Sequence, residues 1–466
     1  MAENRKLQTT FDERQDLTRG PILKKMVMFA LPMILSNLVF QCYNAADSAI
    51  VGNFVGSDAL AAVSASNPIM MLFNALFFGL SIGTGIVVAQ NFGANRLEDL
   101  RKAINSSALM GIIVGTFIII AGSITARPLL NLLKTPANII EGSNIYLSVI
   151  YFGMLSNTLY QIGAGILRAM GDSRTPLYFL CISAMSNVVL DLLFVAVLNM
   201  GVMGAALATI LTQTLSAIMV LFRINSGKYP ICIEWKHLSV DRNAARMIIR
   251  LGVPSAIQNA SMSLGAVFIQ SFANKFGSAF IAANSVVQKT DGFMILPMLG
   301  YGGALTTFVG QNMGAGRADR AKKGIVLSFL IILIYGILLG TFLWFFGSGI
   351  MRIFTQDMAV LSISTVGIRI LAFFYLFMGM NQSLTGAMRG AGAAVAPMMI
   401  TIISQFMRIP VAYFIAVVPM NPFGLFWSMA FSVLANFLMG LGYFKFGNWQ
   451  KKTEVQPSPD TPVFDE

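Results

Sequence analysis

Runs of about 20 or more largely apolar residues recur twelve times along this chain, and about 20 helical residues cross the hydrocarbon core of a bilayer. A chain built this way has to be read as a membrane protein. The runs are 26–50, 59–90, 102–126, 139–167, 175–198, 203–224, 247–274, 278–311, 323–347, 359–388, 395–417 and 423–446. They occupy most of the 466 residues and leave no room for a soluble catalytic head. Only 11% of the residues are charged, against the roughly 25% that a water-facing surface uses. Several runs exceed the hydrocarbon thickness, which predicts tilted helices that protrude into water. The ten-residue alternation of a membrane barrel is absent from the sequence, so the expected fold class is an all-α polytopic membrane protein.

The net charge of +12 would suggest nucleic acid in a soluble protein, but here it reports topology first. With the N-terminus placed in the cytoplasm, that side receives 25 Lys and Arg and the opposite side 4. Lys289, Arg369 and Arg408 fall inside spans. Such a bias puts both termini on the cytoplasmic face of a cell membrane, and nucleic acid is not an expected partner. Cys42, Cys181 and Cys232 are scattered and His237 is the single histidine, so neither a disulfide framework nor a zinc cluster is expected. Residues 1–25 are polar and lead straight into a full-length span, the pattern of a retained segment rather than a cleaved signal peptide.

The sequence repeats itself. VAQNFGANR (88–96) recurs as VGQNMGAGR (309–317) and GILRAMGDSRTP (165–176) as GAMRGAGAAVAP (386–397), both at an offset of 221. Pro32 pairs with Pro254 at 222. These anchors describe a duplication of six helices. Six is even, so both halves enter the membrane in the same direction and their symmetry axis runs along its normal. The expected organisation is a cytoplasmic segment 1–25, a first lobe 26–225, a basic linker 226–246 carrying Pro230 and Trp235, a second lobe 247–447 and a polar tail 448–466. Two lobes with a cleft between them suit alternating access.

The opening LTRGPILKKMVMFALP, the paired VxQNxGAxR segments and GILRAMGDSRTP, in this order, resemble the MATE (multidrug and toxic compound extrusion) family over about residues 17–447. The resemblance implies twelve helices in two six-helix lobes. It also implies a monomeric antiporter among membrane lipids, exporting small organic compounds of cationic or amphipathic character, with Na⁺ or H⁺ as the coupling ion and no other cofactor. A lipid or lipid-linked saccharide flippase of the same superfamily is the alternative. An enzyme is not expected, because the only dyad the sequence offers is Asp47 with Asp191. Gly83 and Gly85 form a GxG inside a span, with no strand before it, so no nucleotide site is expected there.

Away from the span ends, only Asp47, Asp191 and Asp291 among 20 acids lie inside spans. An ionised group at mid-bilayer costs about 2.5–3.5 kcal/mol on insertion scales, enough to demand a use. At a rise of about 1.5 Å per residue, Asp47, Asn187, Asp191 and Thr209 reach one layer in the outer half. Asn187 and Asp191 are spaced i, i+4 and share a face that Ser183 extends. Two carboxylates with amide and hydroxyl oxygens suit Na⁺ or a shared proton. The family resemblance implies the same assignment, since its first-lobe cation site uses an acid on helix 1, an Asn and Asp one turn apart on helix 5 and a Thr on helix 6. Asn37, Gln41, Asn44 and Ser48 form a stripe on helix 1 that serves either as pore lining or as helix-to-helix glue. Pro32 removes a backbone hydrogen bond and permits a kink below Asp47. The second half departs from this pattern: Arg408 replaces Asn187, Ala412 replaces Asp191 and Phe268 stands at the Asp47 position. Lys289, Asp291, Arg369 and Arg408 are expected to form a charge network there, with Asp291 paired to Arg369.

Overall fold

The computed structural model describes residues 16–229, 231–453 and 455. Residues 1–15 of the N-terminal segment, Pro230 of the linker, and 454 and 456–466 of the tail lie outside the described residues. The described chain is helical: α1 (Ile22–Phe54), α2 (Ser57–Gly93), α3 (Leu97–Leu132), α4 (Ile140–Ala169), α5 (Arg174–Asp191), α6 (Gly201–Ile224), α7 (Arg242–Ala273), α8 (Ser278–Met294), α9 (Leu296–Gly314), α10 (Ala318–Phe354), α11 (Met358–Gly390), α12 (Val395–Ala412) and α13 (Gly424–Phe446). The run expected at 278–311 is two helices that meet at Ile295, because Pro297 in the first turn of α9 cannot donate a backbone hydrogen bond. Each of the other runs is one continuous helical segment. Among the described residues ten segments are long and apolar enough to cross a membrane. The two long helices that fall short, α4 and α7, carry polar groups such as Asn157, Gln161, Gln258 and Asn259 on their inward sides.

The repeat extends to details of the backbone. The VxQNxGAxR segments end α2 and α9, where Asn95 (φ 54°) and Gly316 (φ 72°) turn the chain left-handed. Arg96 N–H then bonds Asn91 O and Arg317 N–H bonds Asn312 O, which closes each helix end. α5 continues into a π-helical stretch, Leu192–Val197, and α12 into another, Tyr413–Val417. Asp191 is the last residue before the first of these, a kind of helix irregularity common at functional sites.

Each half builds its own buried clusters, but the first turns of α1 and α7 are exchanged. Met26 and Phe29 of α1 pack with Leu305, Phe308 and Leu384 of the second half. Ile248 and Leu251 of α7 pack with Ile104, Ile166 and Val220 of the first. In lipid an apolar side chain gains little by leaving the tails, so close backbone approach has to hold the halves together. At the end of the bundle that carries the linker, here called the basic end, α2 meets α9 directly. A Cβ at Gly93 would fall on the Gln311 backbone, and one at Gly314 on the Gln90 backbone. The same glutamines reach across: Gln90 Nε2 donates to Gly390 O at 2.9 Å and Gln311 Nε2 to Ala169 O at 2.8 Å. The side chains of both repeat motifs thus close the basic end. Since backbone cannot yield as a flexible side chain does, Gly93→Ala is expected to cost about 1–3 kcal/mol by overpacking. Thermal unfolding of the purified variant checks this, and Gly85→Ala, whose Cβ would meet nothing closer than Gly165 O at 3.9 Å, is the control.

Candidate functional site

The structure brings Asp47, Asn187, Asp191 and Thr209 around one spot enclosed by α1, α5 and α6. Asn187 and Asp191 are wholly buried and Thr209 nearly so. The Asp47 and Asp191 carboxyl groups are neighbours across the α1–α5 contact. Tyr43, one turn before Asp47 on α1, donates to Thr209 Oγ1 at 3.4 Å and lies beside both acids. Five atoms of this set, Asp47 Oδ1, both Asn187 side-chain atoms and both Asp191 oxygens, are buried with no hydrogen-bond partner. Buried polar groups are almost always satisfied, so five orphans together mark a place fitted to something more. The donors are hard oxygens with two carboxylates, suited to an alkali cation or to a proton held between the acids. Sequence reasoning missed Tyr43, although its i−4 spacing from Asp47 was a signal.

Inward of this set lies a cavity of about 480 Å³ between the halves, lined by α1, α2, α4, α5 and α6 on one side and α7, α9 and α11 on the other. Asn37 and Ser183 line it. Asn37 Nδ2 also donates to Leu296 O of the second half at 3.4 Å, and Ser183 Oγ to Thr212 O at 2.9 Å, so these two residues both face the cavity and tie helices together. Gln41 Nε2 stands 3.9 Å from where a Cβ on Gly292 would be. Asn44 and Ser48 do not line the cavity: they are exposed farther along α1, beyond Tyr43, and Ser48 Oγ bonds back to Asn44 O. Spacing puts all four on one stripe, but only its inner part reaches the cavity. Tyr43 also lines the cavity, so one phenol touches both the acid set and the cavity. Pro32 is buried inside α1, which continues through it as a single helix.

In the second half the expected pair does not form. Arg369 points outward, donates to Trp344 O at 3.3 Å and lies over the Trp344 ring. Among the described residues no carboxylate comes within ion-pair distance of it. Position within a span gave no rotation about the helix axis, and this long side chain takes the outer surface with an aromatic partner. Asp291 instead accepts from Tyr375 Oη at 2.7 Å, with Arg408 as the guanidinium that faces it. Lys289 is exposed on α8 and stands apart from that group. The second half therefore has Asp291, Tyr375 and Arg408 in place of a four-residue network.

Arg168 and Arg389 were also missed as site residues. The sequence counts them as topology charges, yet both line the cavity. Their signal was the duplicated arginine of GILRAMG and GAMRGAG.

The chain matches the MatE family profile over residues 32–193 and 254–414, one match in each repeat, beginning on Pro32 and Pro254. It is 30% identical over 446 residues to a Bacillus subtilis protein named probable multidrug resistance protein YpnP, covering 93% of this chain and 97% of that one. A Shewanella oneidensis protein named FAD transporter is 24% identical over 365 residues, 75% of this chain and 78% of its own. Among solved structures, one described as MATE in the straight conformation superposes with a TM-score of 0.87 at 25% identity, over 95% of this chain and 100% of that one.

Proposed function

This chain belongs to the MatE family of membrane transporters, and on that premise we propose that it is a cation-coupled antiporter exporting organic compounds by alternating access. The observation that carries the reading is the set of Asp47, Asn187, Asp191 and Thr209, in which five buried atoms of Asp47, Asn187 and Asp191 have no partner and Thr209 is joined through Tyr43 to the cavity between the lobes. A cation or proton taken up there changes the charge next to Tyr43, and Tyr43 forms part of the cavity wall. Cation occupancy and substrate occupancy then act on the same helix. The twelve spans form two six-helix lobes, and the single chain holds both lobes, the polar set and the cavity, so a monomer surrounded by lipid is the expected functional unit. The excess of basic residues puts both termini in the cytoplasm of a cell membrane. With that orientation, the backbone contact of Gly93 with Gln311 and of Gly314 with Gln90 is a closed cytoplasmic gate. The names of the relatives include multidrug proteins and a carrier of FAD, all consistent with drug-sized organic molecules.

Proteoliposomes with an imposed Na⁺ or H⁺ gradient test the reading. Movement of a fluorescent organic probe against its own gradient, driven by one of the two ions, is expected. Probe movement indifferent to both gradients would contradict it. Tyr43→Phe deletes one hydroxyl and keeps the ring, so it removes about 1 kcal/mol of net hydrogen bonding, roughly fivefold in an equilibrium constant. We expect a loss of about that size in the response of probe binding to the cation, with binding in the absence of cation little changed. A titration at fixed probe and varied Na⁺ or pH measures it.

A further inference from the structure

The two arginines in the cavity wall bear on what the cavity carries. Arg168 and Arg389 occupy the last turns of α4 and α11, at equivalent places in the two repeats 221 residues apart. Both line the cavity, and no Asp or Glu does. The intramembrane acids Asp47 and Asp191 are not part of its wall. Neither arginine forms an ion pair among the described residues. Tyr160 is the titratable group that faces Arg168, and it is a phenol. Arg389 Nη2 donates to Gln258 Oε1 at 2.5 Å, while its Nε is buried with no partner. Gln258 is held in that orientation by its own donation to Thr401 Oγ1 at 2.7 Å.

Two other arginines at the same end are neutralised by carboxylates. Arg101 meets Glu234 at 3.0 Å and Arg223 meets Asp172 at 3.7 Å. Arg168 and Arg389 face the cavity with no carboxylate in its wall. An enclosed guanidinium gains most from an anionic partner, and it binds carboxylate or phosphate in a two-pronged geometry. A cationic ligand placed there meets like charge. The remaining wall includes Phe40, Phe78 and Tyr160, faces suited to an aromatic body.

Accepting the transporter reading above, we propose that the cavity's ligands are organic anions: an aromatic or apolar body with a carboxylate or phosphate received by Arg168 and Arg389. Of the cationic or amphipathic compounds expected above, this reading selects amphipathic ones whose charge is negative. The volume of about 480 Å³ is that of a drug-sized site.

Three fluorescent probes decide it with the full chain in detergent. Riboflavin and flavin mononucleotide share a ring system and differ by one phosphate, and ethidium is an aromatic cation. We expect flavin mononucleotide to bind about tenfold or more tighter than riboflavin, the scale of one charge-assisted pair, with ethidium weakest. In Arg168→Gln the preference for phosphate should fall severalfold. Arg168→Lys, which keeps the charge, should retain most of it, and a folding defect would not produce that difference. Equal binding of the two flavins, no binding of flavin mononucleotide, tighter binding of ethidium, or a preference unchanged in both Arg168→Gln and Arg389→Gln would overturn the proposal. In proteoliposomes, gradient-driven movement of ethidium without that of flavin mononucleotide sinks the charge assignment alone. Phosphate-dependent binding without any gradient-driven movement sinks the antiport reading and leaves the charge assignment standing.

Discussion

Asp191→Asn is expected to reach the membrane, bind organic probe and lose gradient-driven transport by tenfold or more, of the order of one lost charge interaction. The substitution preserves shape at a position that is wholly buried at the junction of α5 and its π-helical extension. It removes the negative charge that the coupling cation needs, and an amide cannot take up the transported proton. Asp47→Asn is expected to act the same way, since the two carboxyls face each other. Thr209→Val takes away one neutral oxygen and leaves both charges, so its loss should be smaller. The assay is probe movement in proteoliposomes at matched protein content, with thermal unfolding to show that the variants are folded. Asp191→Asn with wild-type transport would remove this site from the coupling.

The second large effect is on stability and lies outside the membrane, at Asp172. This buried carboxylate accepts from Thr175 Oγ1 at 2.6 Å, Thr175 N at 3.0 Å and Arg174 N at 3.2 Å, which fixes the start of α5. Its Oδ2 also accepts from Tyr229 Oη at 2.6 Å and lies 3.7 Å from Arg223 Nη2. Burial, and then the neighbouring Asp172 charge, push the Tyr229 phenol above its ordinary range, so it stays a hydrogen-bond donor at all working pH values. One side chain thereby ties the linker to the first lobe. Asp172→Ala strands Tyr229 and Arg223 together, and removing one partner of a buried charged group costs about 3–5 kcal/mol. We expect a lower unfolding temperature and faster proteolysis of the 226–246 linker. Asp172→Asn, which keeps an acceptor, should be milder. The equivalent position in the second repeat is Ala393, so this carboxylate tie is particular to the first repeat.

Much of the fold was legible because the bilayer imposes a length. Eleven of the twelve runs became one continuous helical segment each, and the eighth broke where Pro297 stands. The repeat was legible as an offset and proved to include turns, close glycines and cross-lobe glutamines. Asp47, Asn187, Asp191 and Thr209 stood out because a charge in a span is rare and the i, i+4 rule places two of them on one face. What stayed hidden depends on rotation and tilt, which spacing does not carry. Arg369 looked inward on the sequence and points outward beside Trp344 in the structure. Asn44 and Ser48 share a face with Asn37, but they are exposed and lie outside the cavity wall. Arg168 and Arg389 were counted as topology charges, a role that concealed their place in the cavity wall. The π-helical stretches that follow Asp191 and Ala412 had no signal in composition.

The account rests on communication between the acid set and the cavity, and binding linkage tests it most directly. A cation can drive transport only by favouring one conformation or one substrate state over another. The affinity of flavin mononucleotide should be measured in detergent across Na⁺ concentrations and pH values, and the affinity of the effective cation with and without the flavin. The account predicts that one of the two ions weakens flavin binding, that the flavin weakens binding of that ion by the same factor, and that Asp191→Asn abolishes both effects. Flavin affinity independent of Na⁺ and of pH, with Asp191 intact, would contradict it.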